Sequence, residues 1–233
     1  MVRLCALASL AVTGLAGAQV LKWVDKEGHV HYGDKAPDGA AVQTIKTPQG
    51  GTVVATDEVE VEDTEYRYFE VGGLSIAQLN RARDAYGPEA ISIRNGKPYK
   101  AWANCGWSTR WHYDTVVNSD GQCRIGKFKL KLHVFITFPK WVDKAEASPE
   151  LQGKWETFSR VVMNHELGHR QNDIRGANEM ALEVHKIPPQ KSCGELDEQV
   201  RALNARLTTK YKLLNNAWDQ AQVNGSEEDY YLH

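Results

Sequence analysis

Lys127-Phe128-Lys129-Leu130-Lys131-Leu132-His133-Val134-Phe135-Ile136 is the stretch on which the fold turns. Its alternation of polar and apolar residues has the period of a strand with one face against a core. Just upstream, Ser119-Asp120-Gly121 reads as a turn, so residues 122–138 are expected to fold back antiparallel on residues 99–117. Residues 89–94 alternate in the same way before Asn95-Gly96, and residues 66–71 read as a further strand. Between them, Ser75 caps a helix that carries Ile76, Leu79, Ala82 and Ala85 at helical spacing and stops at Gly87-Pro88. From Ser148 onward the period changes. A long helix is predicted over residues 151–185, a break at Pro188-Pro189, and a second helix over residues 194–222. Strands followed by helices make an α+β class, with an antiparallel sheet packed on a long helix and a second C-terminal helix.

The 233 residues are 42% hydrophobic and 25% charged, enough to bury a core and without the bias of a disordered chain. A formal net charge of -2 supplies no surplus of Lys and Arg with which to neutralise phosphates, so a nucleic-acid partner is not expected. Residues 1–18 read as a secretory signal: Arg3 opens it, an apolar run covers residues 4–15, and Ala16-Gly17-Ala18 precedes Gln19. Ser9, Thr13 and Gly14 interrupt that run, which falls short of the roughly 18 apolar residues of a membrane anchor. No stable membrane span is expected after cleavage. The expected location is the periplasm or the medium.

Cleavage removes Cys5 and leaves Cys105, Cys123 and Cys193, which in an oxidising compartment suggests one disulfide and one leftover thiol. In the hairpin about residues 119–121, Cys105 lies opposite a residue near 134 and away from Cys123, so Cys123 with Cys193 is the favoured pair. Residues 19–47 contain two alternating runs around Glu27-Gly28, a small β-hairpin module. Residues 48–64 read as a linker holding one strand at most. The acidic cluster at residues 57–65 lacks the loop spacing and glycine of a calcium site. His29 and His31 share a strand face but have no third ligand nearby.

The chemistry concentrates in residues 65–233, at His165-Glu166-Leu167-Gly168-His169. Four residues are about one helical turn, so the two imidazoles share a face and reach one cation. Zn2+ suits neutral imidazoles and makes a bound water acidic, while Glu166, turned aside from the ligand positions, is suited to take that water's proton. Trp155, Phe158, Val161 and Val162 flank the motif and can bury the helix against the sheet. A helix holding this pattern by chance is the plain alternative.

The resemblance rests on more than that motif. Tyr68-Phe69-Glu70-Val71-Gly72-Gly73, Leu79, Gly87-Pro88, the strand at residues 107–113, Gly121-Gln122-Cys123 and Phe138-Pro139-Lys140-Trp141 lead into it, and Ser192-Cys193-Gly194-Glu195-Leu196 and Trp218-Asp219 follow it. Residues 66–225 thus resemble a bacterial family described as predicted secreted zinc-dependent proteases. The resemblance implies a zincin-like fold, a zinc metallopeptidase with Glu166 as general base, and a peptide or protein substrate. Residues 20–40 resemble a short N-terminal module of exported bacterial proteins, with Gly33 where Ser is usual.

That family closes on Tyr-Asp-x-x-Thr-x-His-Gly, where this chain has Trp218-Asp219-Gln220-Ala221-Gln222-Val223-Asn224-Gly225. If the family histidine were the third ligand, Asn224 would impair the site; if the aspartate serves, the site is intact. Asp219, on a separate helix that can fold back after Pro188-Pro189, is the first choice to join His165 and His169. Glu179 and Glu183 lie about 15 and about 21 Å beyond His169 along a continuous helix and come within reach only if it breaks near Gly176. Tyr211, Tyr230, Tyr231 and His185 are chemically able to stabilise an oxyanion. The leading expectation is an exported zinc metallopeptidase. A noncatalytic exported binding module with a degenerate metal site and a zinc-dependent amidase acting on cell-wall peptides are the alternatives.

Overall fold

The computed structural model describes residues 20–24, 30–33, 37–45, 55–94, 97–225 and 232. The proposed signal at residues 1–18, residues 48–54 of the linker, His29, the Asn95-Gly96 turn, Tyr230 and Tyr231 lie outside them. Near the N-terminus, β1 (Val20–Val24) pairs antiparallel with β2 (Val30–Gly33), and β3 (Val42–Ile45) takes the other edge of β1. The expected hairpin is therefore part of a three-stranded sheet.

Next come β4 (Val59–Val61), β5 (Glu65–Val71), α1 (Ile76–Tyr86), β6 (Glu89–Arg94), β7 (Lys97–Lys100), β8 (Asn104–Val117) and β9 (Cys123–Trp141). Ser75 caps α1 through its side-chain oxygen, which accepts from the Gln78 N–H, and Gly87 ends it. At the turn between β8 and β9, Asn118 Oδ1 accepts from the N–H groups of Asp120 and Gln122, and Gly121 takes φ 77°. The hairpin register puts Cys105 opposite Ile136.

The main sheet is mixed, which corrects the expectation of an antiparallel one. β8 pairs antiparallel with one edge of β9, but β4 and β5 run parallel along the other, with Val59 opposite Leu130 and Val71 opposite Trp141. β6 and β7 form a separate two-stranded ribbon. Alternation reports which face of a strand is buried. It carries nothing about the direction of the neighbour, and the long connection through α1 and β6 to β8 supplies the crossover that parallel pairing needs.

Within β9 the pattern behaves as a half-buried strand should: Phe128, Leu130, Leu132, Val134 and Ile136 are buried, while Lys127, Lys129 and Lys131 are exposed. Two helices cover the buried face. α2 (Pro149–Val184) starts at the Ser148 cap with Pro149 in its first turn, and α3 (Cys193–Gly225) returns beside it after Pro188-Pro189. The Cys123–Cys193 disulfide and a pair of backbone hydrogen bonds between Cys123 and Gln190 tie the start of α3 to β9. Among the described residues, Cys105 is the free thiol. None of the helices among the described residues is long and apolar enough to cross a membrane.

The core divides along α2. Its first half packs Leu151, Trp155, Phe158 and Val162 against Val71, Leu79, Trp102, Phe138 and Trp141. Its last part packs Ile174, Ala177, Met180, Ala181 and Val184 against β9 and against Leu196, Val200, Leu203 and Leu207 of α3. Between the two runs, the helix buries polar groups.

Candidate metal centre

His165, Glu166, Asn172 and Asp173 are the buried polar and charged residues among the described ones, and all four lie on α2 in the interval between the two apolar clusters. Such groups cost free energy to bury unless something compensates them. Their concentration on two turns of one helix marks the candidate functional part of the molecule.

The compensation begins with α3. Gly168 leaves room for the Trp218 indole: a Cβ there would meet the ring at 2.5 Å. Trp218 Nε1 donates to the carbonyl of His165 at 3.2 Å, and its ring stacks on that of His165 with centroids 6.0 Å apart. This close approach delivers the next residue, Asp219, to the two histidines. Asp219 Oδ1 lies 2.9 Å from His165 Nε2 and 2.8 Å from His169 Nε2, and the two nitrogens are 3.0 Å apart.

Hydrogen bonds alone account poorly for this triangle. If each Nε2 donates to Asp219, the third edge sets two N–H groups against each other. A cation at the centre turns all three edges favourable. Tetrahedral zinc, with bonds of about 2.0–2.2 Å, holds ligand atoms roughly 3.3–3.5 Å apart, so each corner needs to move only a few tenths of an ångström. His165, His169 and Asp219 could hold a metal ion. The His165 ring is buried, the His169 ring is partly exposed and the carboxylate is half exposed, which leaves the solvent side for approach.

Charge follows from burial and from these contacts. Burial holds His165 below the usual histidine range, against the pull of Asp219. Burial also opposes protonation of His169, but the hydrogen bond to Asp219 and the nearby carboxylates outweigh it and raise that ring to about 9. Burial works against ionised Asp219 too, and the two histidine hydrogen bonds overcome it, lowering the carboxyl to about 2. Glu166 is pushed up to about 7 by burial above all. The backbone N–H of Cys105 donates to its carboxylate, and Oε2 has no hydrogen-bond partner among the described residues.

Residues 66–225 match the family described as "Bacterial protein of unknown function (DUF922)". The chain belongs to that family. Residues 5–59 match a second family, "Domain of unknown function (DUF4124)". No curated protein and no solved structure matches this chain. The DUF922 region contains every residue of the His-His-Asp cluster and Glu166.

Within the DUF922 region the other candidates lie elsewhere. α2 does not break at Gly176; that glycine instead accommodates Tyr211 of α3, whose ring a Cβ would meet at 3.1 Å. Glu179 accordingly stays on the far stretch of the helix, bound to Lys210 and to the Tyr211 hydroxyl, and Glu183 pairs with Lys186. Tyr211 is thus engaged away from the triangle, and His185 contacts Glu58. Asn224 falls within α3, more than a turn beyond Asp219.

Asn172, Asp173 and Asn215 were not singled out from the sequence. Asn215 Nδ2 donates to Asp173 Oδ1 at 3.2 Å, and Asn172 Nδ2 donates to Asn215 Oδ1 at 2.9 Å. The spacing held a signal: Asp173 is one turn after His169 and Asn215 one turn before Asp219, so each shares a helix face with a ligand candidate.

Proposed function

We propose that this protein is an exported zinc-dependent hydrolase of peptide bonds, with His165, His169 and Asp219 as metal ligands and Glu166 as general base. The observation that carries the reading is the triangle of two imidazole nitrogens and one carboxylate oxygen with edges of 2.8, 2.9 and 3.0 Å. This donor set suits a borderline divalent ion, and zinc above calcium or magnesium, which favour all-oxygen sites. Bound zinc supplies a Lewis acid that polarises the scissile carbonyl and acidifies water.

The chain's own groups do the rest. Glu166 is one residue from His165, and its unpartnered Oε2 is the atom available to accept a proton. Water oxygen attacks the carbonyl carbon as its proton passes to Glu166. The C–N bond then breaks and the same proton goes to the leaving amine. The hydrogen bond from Cys105 N–H holds the carboxylate in place, and burial makes it a stronger base than a solvent-exposed carboxylate. Export is supported by the signal-like residues 1–18 and by the Cys123–Cys193 disulfide, a bond of oxidising compartments.

Zinc stoichiometry of the purified chain, followed by turnover of unfolded protein and of cell-wall peptides by wild type and Glu166→Gln, tests the reading. One zinc per chain and a loss of turnover of about 100- to 10000-fold in the variant are expected. Bound zinc without Glu166-dependent turnover would favour a noncatalytic binding module. Cleavage confined to wall peptides would make the protein an amidase of that substrate.

A further inference from the structure

We propose that Asn172 and Asp173 of α2 clasp Asn215 of α3, and that these three are positioning residues: the clasp fixes where α3 lies along α2 and so places Asp219 at His165 and His169. The proposal rests on the zinc site above and concerns residues outside its ligand set.

The contacts between the two helices recur at intervals of about one turn. Gly168 receives the Trp218 ring, Asn172 and Asp173 meet Asn215 further along α2, and Gly176 receives the Tyr211 ring beyond them. The outer two set an aromatic ring against a glycine. Burial of apolar area rewards proximity but is non-directional, so it resists overlap more than it resists sliding. Hydrogen bonds weaken steeply outside a narrow range of distance and angle. The middle contact is therefore the one that sets the register.

Asn215 Nδ2 donates to Asp173 Oδ1 at 3.2 Å, and Asn215 Oδ1 accepts from Asn172 Nδ2 at 2.9 Å. One amide on α3 thus serves as donor and as acceptor to two consecutive residues of α2. Reversing it would set a carbonyl against a carboxylate and an NH2 against an NH2. The α2 side is held in turn. Arg175 Nη1 donates to Asn172 Oδ1 at 3.2 Å, and the Cys105 thiol of β8 lies 3.8 Å from Asp173 Oδ2, so a different element meets each oxygen of that carboxylate. Asn172 and Asp173 are buried, and water cannot readily replace a partner lost there. A slip of α3 along α2 would break both bonds to Asn215 at once. Asp219 lies four residues beyond Asn215 on the same face of α3 and moves with it. Ligands of a metal site must be held within about 0.5 Å, so even a small slip is felt at the ion.

The test is zinc affinity by chelator competition in full-length wild type, Asn215→Ala, Leu203→Ala, and the double exchange Asn215→Asp with Asp173→Asn, all below the unfolding temperature. Asn215→Ala is expected to weaken zinc binding about 10- to 100-fold, the range of groups that support metal ligands. The double exchange keeps the total charge and lets the amide at position 173 donate to the carboxylate at position 215, which still accepts from Asn172. Its affinity is expected within about threefold of wild type. Leu203→Ala removes a buried side chain from α3 away from the clasp; it should lower the melting temperature and leave affinity within about threefold. Wild-type affinity in Asn215→Ala, a double exchange as weak as the single change, or an equal loss in Leu203→Ala overturns the proposal while leaving the zinc site standing. Absence of zinc binding in wild type overturns both. Should Asn215→Ala fail to fold, Asn172→Ala, which removes one of the two bonds, decides: weaker zinc binding supports the clasp, and wild-type affinity overturns it.

Discussion

The Trp218 indole lies directly over Gly168, so close that a single methyl group on that glycine would sit 2.5 Å from the ring. The glycine between the two candidate histidine ligands therefore serves the contact between two helices, and that contact carries Asp219 to the histidines.

Gly168→Ala sets two opposed effects against each other. Alanine favours the helix by about 1 kcal/mol, while overpacking costs about 1–3 kcal/mol. Against a large indole the overlap wins, so the melting temperature should fall and zinc affinity with it. Gly176→Ala meets the Tyr211 ring at 3.1 Å, a contact that a few tenths of an ångström relieves. That variant should stay near wild type in both measurements, and equal losses at the two glycines would contradict the assignment.

Asp219→Ala removes a corner of the triangle and should lower zinc affinity by more than the roughly 10- to 100-fold typical of a supporting residue. Glu179→Gln leaves the triangle untouched and should bind zinc as wild type does. Direct titration with zinc separates the two, and full affinity in Asp219→Ala would exclude it as a ligand.

Metal-free protein should be more stable in mild acid than in mild alkali. The raised value of His169 contributes stability that is complete below the ordinary histidine range and is lost as pH rises through about 9. Glu166 and Asp173, both raised to about 7 by burial, cost stability once pH exceeds the ordinary carboxyl range, and that cost is complete above about 7. Asp219 acts in the opposite sense, its contribution being lost only as pH falls towards about 2. Melting of chelator-treated protein at about pH 5 and about pH 8.5 should show the lower temperature at the higher pH, and zinc should narrow the gap. A rise in melting temperature with pH would contradict these shifts.

Loss of the Cys123–Cys193 bridge, which closes a loop with a sequence separation of 70, should cost roughly 4 kcal/mol. Paired Cys→Ala substitution read by denaturant unfolding measures it. Zinc affinity should survive in the folded variant, because Asp219 sits at the opposite end of α3 from Cys193.

Much of the architecture was legible from spacing alone. β9 declared its buried face through Leu130, Leu132, Val134 and Ile136, and the Pro188-Pro189 break separated two helices that the structure also separates. The hairpin register excluded Cys105 with Cys123, and the favoured pair, Cys123 with Cys193, is the one the structure forms. The parallel pairing of β4 and β5 was hidden, because period-two alternation looks the same whichever way the neighbour runs.

At the candidate metal centre, local sequence determined that His165 and His169 share a helix face with Glu166 between them, because the 3.6-residue period places them there whatever surrounds the helix. Which residue completes the triangle was decided by tertiary structure. Asp219, Glu179 and Glu183 all offer a carboxylate; the unbroken α2 keeps Glu179 and Glu183 away from His169, while the distance of Asp219 depends on where α3 packs, which the Gly168 and Gly176 contacts with Trp218 and Tyr211 set through space and not along the chain.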